Sequence, residues 1–367
     1  MEQATKSTAR DWRWWLALRA VRGVGPVVYQ SLLHAFGHPR AVFEASRVEL
    51  ECAGVKAELV EELERFAAWD EVDRQLDRLR GVGATLVTWA DVHYPALLRQ
   101  IHDPPPFLYV LGELHPSDDL AVAVVGSRRP TAYGLRMARQ IAGELVDYGL
   151  TVVSGLARGI DAAAHWAALK KGGRTLAVLG SGLDVLYPPE HRTLARQIAL
   201  QGAVISELAL GSQPDAENFP VRNRIISGLA RGTVVVEAAE KSGSLITAYC
   251  ALEQGREVFA VPGPVGARSQ GCHKLLRNGA KLTEGARDIL EEIAPQLVCA
   301  RRAEGGPQLS LEGSRLIELL RARPLHVDEL IAASGQSATQ VLSTLLELEL
   351  QGLVQQLPGK CFALANG

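Results

Sequence analysis

Ala121-Val122-Ala123-Val124-Val125-Gly126-Ser127-Arg128-Arg129 is the stretch around which this 367-residue chain is organised. Five small apolar residues in a row are too few for a helix and suit a strand buried on both faces. The run stops at Gly126-Ser127, two guanidinium groups and Pro130 follow, and helical periodicity runs from near Tyr133 to about Tyr148. A strand, a glycine turn and a helix together aim backbone N–H groups at an anion, because the first helical turn leaves its donors without partners. The turn also carries fixed positive charge, so this edge is expected to hold phosphates.

Outward from that stretch, strand and helix alternate from about 119 to 295. Short apolar runs at 151–153, 175–179, 203–206, 233–237 and 258–261 are separated mostly by helical patterns. Such alternation predicts an α/β fold, an extended Rossmann-like, doubly wound and mostly parallel sheet joined by right-handed crossovers. Ligands of that architecture sit at the carboxyl ends of the strands. The second strand is followed by Ser154-Gly155-Leu156-Ala157-Arg158-Gly159-Ile160-Asp161, the third by Gly180-Ser181-Gly182, and the fourth ends in Ser206-Glu207. Phe219-Pro220-Val221-Arg222-Asn223-Arg224 precedes the fifth, and Glu237-Ala238-Ala239-Glu240-Lys241-Ser242-Gly243-Ser244 follows it. Glycines let backbone approach a ligand, serines add donors, and arginines pair bidentately with phosphate oxygens.

Arg128, Arg129, Arg158, Arg222, Arg224 and Lys241 are therefore expected along one sheet edge. Arg128 with Arg222 or Arg224 would neutralise phosphates, and the amides of Gly155 and Gly243 would join them. Taken singly, each loop is open to a plainer reading. Arg222-Asn223-Arg224 suits a loop knitted to Glu207 or Glu237, and Asp161 with His165 suits helix capping better than acid–base chemistry. Their recurrence after successive strands favours the phosphate reading. The whole chain has 39 Lys plus Arg against 41 Asp plus Glu, so any positive character is local.

Several classes are disfavoured. The first loop is no GxGxxG, and no GxxxxGK[ST], nucleophile elbow or metal-spaced cluster occurs. Cys52, Cys250, Cys272, Cys299 and Cys361 form no CxxC pair, which leaves neither a disulfide framework nor a thiolate zinc site supported. No apolar run reaches membrane-spanning length, and the Trp-rich start lacks the pattern of a secretory signal, so a reducing cytoplasm is expected.

The flanks read as separate domains. Residues 1–80 are helical, with Arg22-Gly23-Val24-Gly25-Pro26 suiting either a helix-hairpin-helix turn or an ordinary interhelical turn, and one amphipathic helix over 58–80. A strand at 84–89 and a stiff proline-rich entry at 103–109 open the central domain, 81–295. A linker is expected at 296–310 around Gly305-Gly306-Pro307, and the order helix, helix, helix, strand, turn, strand over 311–367 predicts a winged helix. Its third helix carries Glu347 and Glu349 and no Lys or Arg, so this module is expected to contact protein rather than nucleic acid.

The ordered set Tyr94-Pro95, Gly126-Ser127-Arg128, Ser154-Gly155 through Asp161 with Ala164-His165, Tyr187-Pro188, Phe219-Pro220-x-Arg222-Asn223-Arg224, Ser242-Gly243-Ser244 and Val261-Pro262-Gly263 resembles the DNA-processing protein A family (DprA/Smf) over roughly residues 93–285. That resemblance implies a cytoplasmic, non-enzymatic single-stranded DNA-binding protein without a cofactor. Such a protein protects incoming DNA in natural transformation, loads the RecA recombinase and forms a homodimer through the Rossmann-like domain. It also implies a SAM/helix-hairpin-helix-like domain in front. Arg128 would be the leading DNA contact, beside Gly126, Ser127, Ser154, Gly155, Phe219, Asn223, Ser242, Gly243 and Ser244. Pro189 and His191 stand where many members have lysine and asparagine, with Arg192 nearby. Two alternatives remain at this stage. One is a nucleotide-processing phosphoribohydrolase-like enzyme, although Ser242–Thr247 lacks the double glycine of that class. The other is a duplex-binding regulator resting on the winged helix alone.

Overall fold

In the computed structural model, which describes residues 9–304, 311–321, 323–350 and 352–365, the run at 121–125 is a central strand. The described strands of the larger sheet are β1 (Thr85–Thr88), β2 (Phe107–Gly112), β3 (Ala121–Val125), β4 (Thr151–Ser154), β5 (Thr175–Val178), β6 (Ala203–Ser206), β7 (Gly232–Val235), β8 (Glu257–Ala260) and β9 (Lys281–Leu282). Their order is β1-β2-β6-β5-β4-β3-β7-β8-β9. All neighbours from β6 to β9 run parallel, whereas β2 is antiparallel to both β1 and β6. The chain leaves β3 toward β4 on one side and returns to β7 on the other. This places a topological switch, and hence a crevice, at the carboxyl ends of β3 and β7.

The helical segment comprises α1 (Ala9–Ala20), α2 (Pro26–Phe36), α3 (Pro39–Glu44), α4 (Arg47–Cys52), α5 (Ala57–Glu64) and α6 (Trp69–Gly81). Ser46-x-x-Glu49 closes a capping box on α4. The single helix expected over 58–80 is broken at Arg65–Ala68. There Phe66 and Trp69 turn onto Phe43, with Trp14 against Trp69 at 5.2 Å, and aromatic packing outweighs the charged periodicity. These helices share one apolar cluster with Leu86, Phe107 and Tyr109 of β1 and β2, so packing is continuous across the boundary expected at residue 80.

A short α7 (Ala96–Arg99) follows, and Tyr94 donates its hydroxyl to the Pro105 carbonyl at 2.7 Å. The stiff entry expected at 103–109 becomes β2 from Phe107 onward, because backbone donors return once the prolines end. Crossovers α8 (Ala132–Asp147), α9 (Ile160–Lys170) and α10 (Arg192–Gln201) link β3 to β6. Then α11 (Asn218–Gly228) precedes β7, α12 (Gly243–Glu253) joins β7 to β8, α13 (Gln270–Arg277) joins β8 to β9, and α14 (Ala286–Ile293) follows. Every residue of β3 is buried, as its unbroken apolar composition requires.

Residues 296–367 form a second compact unit. The linker expected from 296 is helical through α15 (Pro295–Glu304), where helix-forming residues run without a breaker; its remainder, 305–310, lies outside the described residues. Then come α16 (Leu311–Leu320), β10 (Leu325–His326), α17 (Val327–Ser334), α18 (Ala338–Leu350), β11 (Val354–Leu357) and β12 (Cys361–Leu364), with strand order β10-β12-β11. Leu316, Leu330, Val341, Leu345 and Phe362 fill this winged-helix core. Gly335, left-handed at φ 71°, stops α17 where the turn was expected.

Candidate nucleic-acid groove

The β3–α8 loop is clamped from both neighbouring strands. Ser127 donates its amide to the Glu237 carbonyl at 2.7 Å, and Ile160 donates to the Ser127 carbonyl at 3.2 Å. Gly159, at φ 81°, lies so close that a Cβ there would collide with the Ser127 carbonyl oxygen. Past the loop, the start of α8 already holds an anion. The Thr131 amide lies 3.1 Å from both carboxylate oxygens of Glu237, and the Thr131 hydroxyl donates to one of them at 2.5 Å. The phosphate-ready helix terminus expected behind Gly126-Ser127 is therefore filled from within the chain.

The cationic side chains face the other way. Arg128 and Arg129 are exposed, as is Lys241, and among the described residues none of the three pairs with a carboxylate. Together with Gly126, Ser127 and Phe219 they line a groove of about 800 Å³ at the switch point. The Arg128 guanidinium sits 5.2 Å from the Phe219 ring centroid and that of Arg222 5.7 Å, while Tyr187 meets the same ring edge-on at 5.9 Å. The opposite wall is the start of α12. Ser242 caps it, the Ser242 and Ser244 hydroxyls are 2.8 Å apart, and a Cβ on Gly243 would meet open space. Asn223 also lines the groove and ties α11 to that wall, donating to the Gly243 carbonyl at 3.2 Å.

Four residues expected to contact phosphate are placed differently. Ser154 is buried and donates its hydroxyl to the Val124 carbonyl at 2.6 Å. Gly155 spends its amide on Asp161 at 3.1 Å, so it has none to offer a ligand. Arg224 is buried on α11, in a helix rather than a loop, and pairs with Glu207 at 2.6 Å and Asp103 at 3.1 Å. Arg222 lines the groove but is only 6% exposed, and its guanidinium donates to the carbonyls of Gly155, at 2.9 Å, and Val178. Burial pushes the Arg222 pKa down to about 10, with Asp161 opposing the shift and Arg128 adding to it. Arg222 is thus a strut beneath Phe219, joining the ends of β4 and β5. Arg158 is exposed, paired with Glu190, and borders a small recess with Gly155, Tyr187 and Arg128.

Asp161 and His165 are knitted into the fold. The Asp161 carboxylate accepts the amides of Gly155 and, at 3.4 Å, Ala157. Thr175 donates its hydroxyl to the Val152 carbonyl, so it accepts from His165 at 2.7 Å, which places the imidazole proton on Nδ1. Burial lowers the His165 pKa to about 3, with His191 and Arg222 contributing. An unfolded chain binds this proton near pH 6.5, so the stability from burying the neutral ring is present above that value. It is lost as pH falls toward 3, by up to about 1.4 kcal/mol per pH unit. Thermal midpoints measured from pH 7 to pH 4 should fall, and His165→Asn should flatten that slope; an unchanged slope counts against this role.

At the departure after Tyr187-Pro188, His191 turns inward to the Leu156 carbonyl at 2.8 Å, whereas Arg192 is exposed. Sequence reasoning missed the role of Glu237. Its signal was an acid directly after the apolar run 233–236, but which helix it would cap was not readable.

The family described as DNA recombination-mediator protein A matches residues 85–294, and that described as the DprA winged helix domain matches 300–360. Protein Smf of Synechocystis sp. is 36% identical over 385 residues, covering 94% of this chain and 97% of the relative. Protein Smf of Escherichia coli is 44% identical over 275 residues, covering 72% and 74%. The X-ray structure of DNA processing protein A from Streptococcus pneumoniae superposes with TM-score 0.64 at 35% identity, covering 79% of this chain and 99% of that one. DNA processing protein A of Helicobacter pylori, described for its single-stranded DNA binding mode, gives TM-score 0.51 at 28% identity, covering 60% and 98%.

Proposed function

We propose, for a chain that belongs to the DNA recombination-mediator protein A family, that the groove between β3 and α12 binds single-stranded DNA. One observation carries this reading. Arg128, Arg129 and Lys241, cations without a carboxylate partner among the described residues, border a groove that also holds the Phe219 ring. Cations take the phosphate backbone and the partly exposed Phe219 ring offers an apolar contact to an unstacked base, a combination suited to single strands and indifferent to sequence. The neighbour from Helicobacter pylori, described for its single-stranded DNA binding mode, supports it.

The role that follows is that of a recombination mediator rather than an enzyme. The protein acts in the cytoplasm as a homodimer, protects incoming strands during natural transformation and loads RecA onto them. Family membership supports this role. Asp161 and His165, the pair at helical spacing, are both engaged in the fold. No described helix is long and apolar enough to cross a membrane. The winged helix takes no part in gripping DNA, since the exposed face of α18 presents Leu342, Leu346 and Glu347 without a basic residue.

The test is fluorescence anisotropy with a labelled oligothymidine and a duplex of equal length, for the full chain and for a chain ended after Pro307. The single strand should bind more tightly, with equal affinity for both chains, and RecA should assemble faster on the bound strand. Tighter duplex binding, or a loss on truncation, would overturn the assignment of the grip to this groove alone. Release of free base from nucleoside monophosphates would favour the phosphoribohydrolase-like reading instead.

A further inference from the structure

We propose that Glu237 stands at the start of α8 in place of a ligand phosphate, so that the groove accepts a polynucleotide along its rim and refuses a lone nucleotide. The inference deepens the DNA-binding reading and rests on it. In strand–turn–helix units the first helical turn is where a mononucleotide phosphate docks. Here the N-cap Thr131 closes that turn by accepting the Gly134 amide on its hydroxyl oxygen at 3.1 Å, and a buried Glu237 carboxylate stands behind it, receiving the amide and the hydroxyl of Thr131. Gly134 completes the fit, since a Cβ there would lie 2.7 Å from a Glu237 carboxylate oxygen. The residue holds both ends of the loop, because its main-chain carbonyl also takes the Ser127 amide.

Two consequences follow. A phosphate approaching Thr131 meets a like charge already in the site, so a free nucleotide gains no anchor there. The segment between Ser127 and Thr131 is pinned at each end, which keeps Arg128 and Arg129 turned toward the groove. What remains for DNA is the rim of side chains, which rewards a ligand carrying several phosphates. Glu237 is on this account a positioning residue that also sets specificity.

The experiment uses the full chain and Glu237→Ala. Inorganic phosphate and AMP are titrated while the Thr131 and Gly134 amide resonances and the thermal midpoint are followed, and oligothymidine binding is measured in parallel. In Glu237→Ala, phosphate should shift both amides saturably, raise the midpoint and bind about tenfold more tightly than to the unaltered chain. Oligothymidine affinity should fall about tenfold as the loop loosens. A folded Glu237→Ala that takes up no phosphate, or that binds oligothymidine like the unaltered chain, overturns the proposal. If Glu237→Ala does not fold, Glu237→Ser, which also withdraws the carboxylate but leaves a small polar side chain, carries the same expectations. Failure of the unaltered chain to bind oligothymidine would instead sink the DNA reading, and the phosphate titration would still decide what fills the α8 terminus.

Discussion

Replacing Arg128 by alanine is expected to weaken oligothymidine binding by about tenfold or more, the loss typical of a charge-assisted hydrogen bond. Among the described residues no carboxylate neutralises this guanidinium, and its ring contact with Phe219 holds it over the groove. Its contribution should therefore appear as both charge and position. The logarithmic salt dependence should become shallower by about 0.7 for each phosphate of a single strand that is no longer neutralised. Folding should be unaffected, because the side chain is exposed. Affinity measured at several salt concentrations checks both quantities, and a variant matching the unaltered chain in affinity and slope would remove Arg128 from the interface. Arg224→Lys is a useful contrast. Arg224 is occupied by Glu207 and Asp103, so exchanging it should leave the salt slope alone.

The second large effect is expected at Arg222. Removing its side chain as Arg222→Ala strips hydrogen bonds from the Gly155 and Val178 carbonyls, empties the space beneath Phe219 and leaves the buried Asp161 carboxylate without its nearby positive charge. Breaking one side of a buried charged arrangement costs about 3–5 kcal/mol. The urea midpoint should drop accordingly, and DNA binding should fall with it because Phe219 and Arg128 lose their support. Arg222→Lys keeps a positive charge but lacks the planar guanidinium that sits against the Phe219 ring, so it should recover only part of the stability. A destabilisation below about 1 kcal/mol would show that Arg222 is not the strut described here. The outcome also separates two roles that a bare arginine count merges. Arg128 should act mainly on affinity, and Arg222 mainly on stability.

Strand positions, the parallel sheet and the winged helix were legible because they rest on short-range signals. Unbroken apolar runs, glycine stops and helical spacing are each read from neighbouring residues, and the stretch from Ala121 through Gly126 to Tyr148 carries all of them in turn. The same holds for the exposed cations Arg128, Arg129 and Lys241, which stand where strand ends were read. The proline run hid β2, and the aromatic cluster broke a helix that charge periodicity had joined. Those were local signals outweighed by packing.

Which cation is free and which is consumed was decided only in three dimensions. Arg224 meets a carboxylate 17 residues away at Glu207, Arg222 meets the Gly155 carbonyl 67 residues away, and Thr131 meets Glu237 across 106 residues. The sequence offered Glu207 and Glu237 alike to the Arg222-Asn223-Arg224 stretch, and the tertiary structure gives Glu207 to Arg224 and Glu237 to Thr131. Whether a helix terminus stays open for a ligand or is closed by the chain itself therefore depends on the register in which β3 and β7 lie side by side.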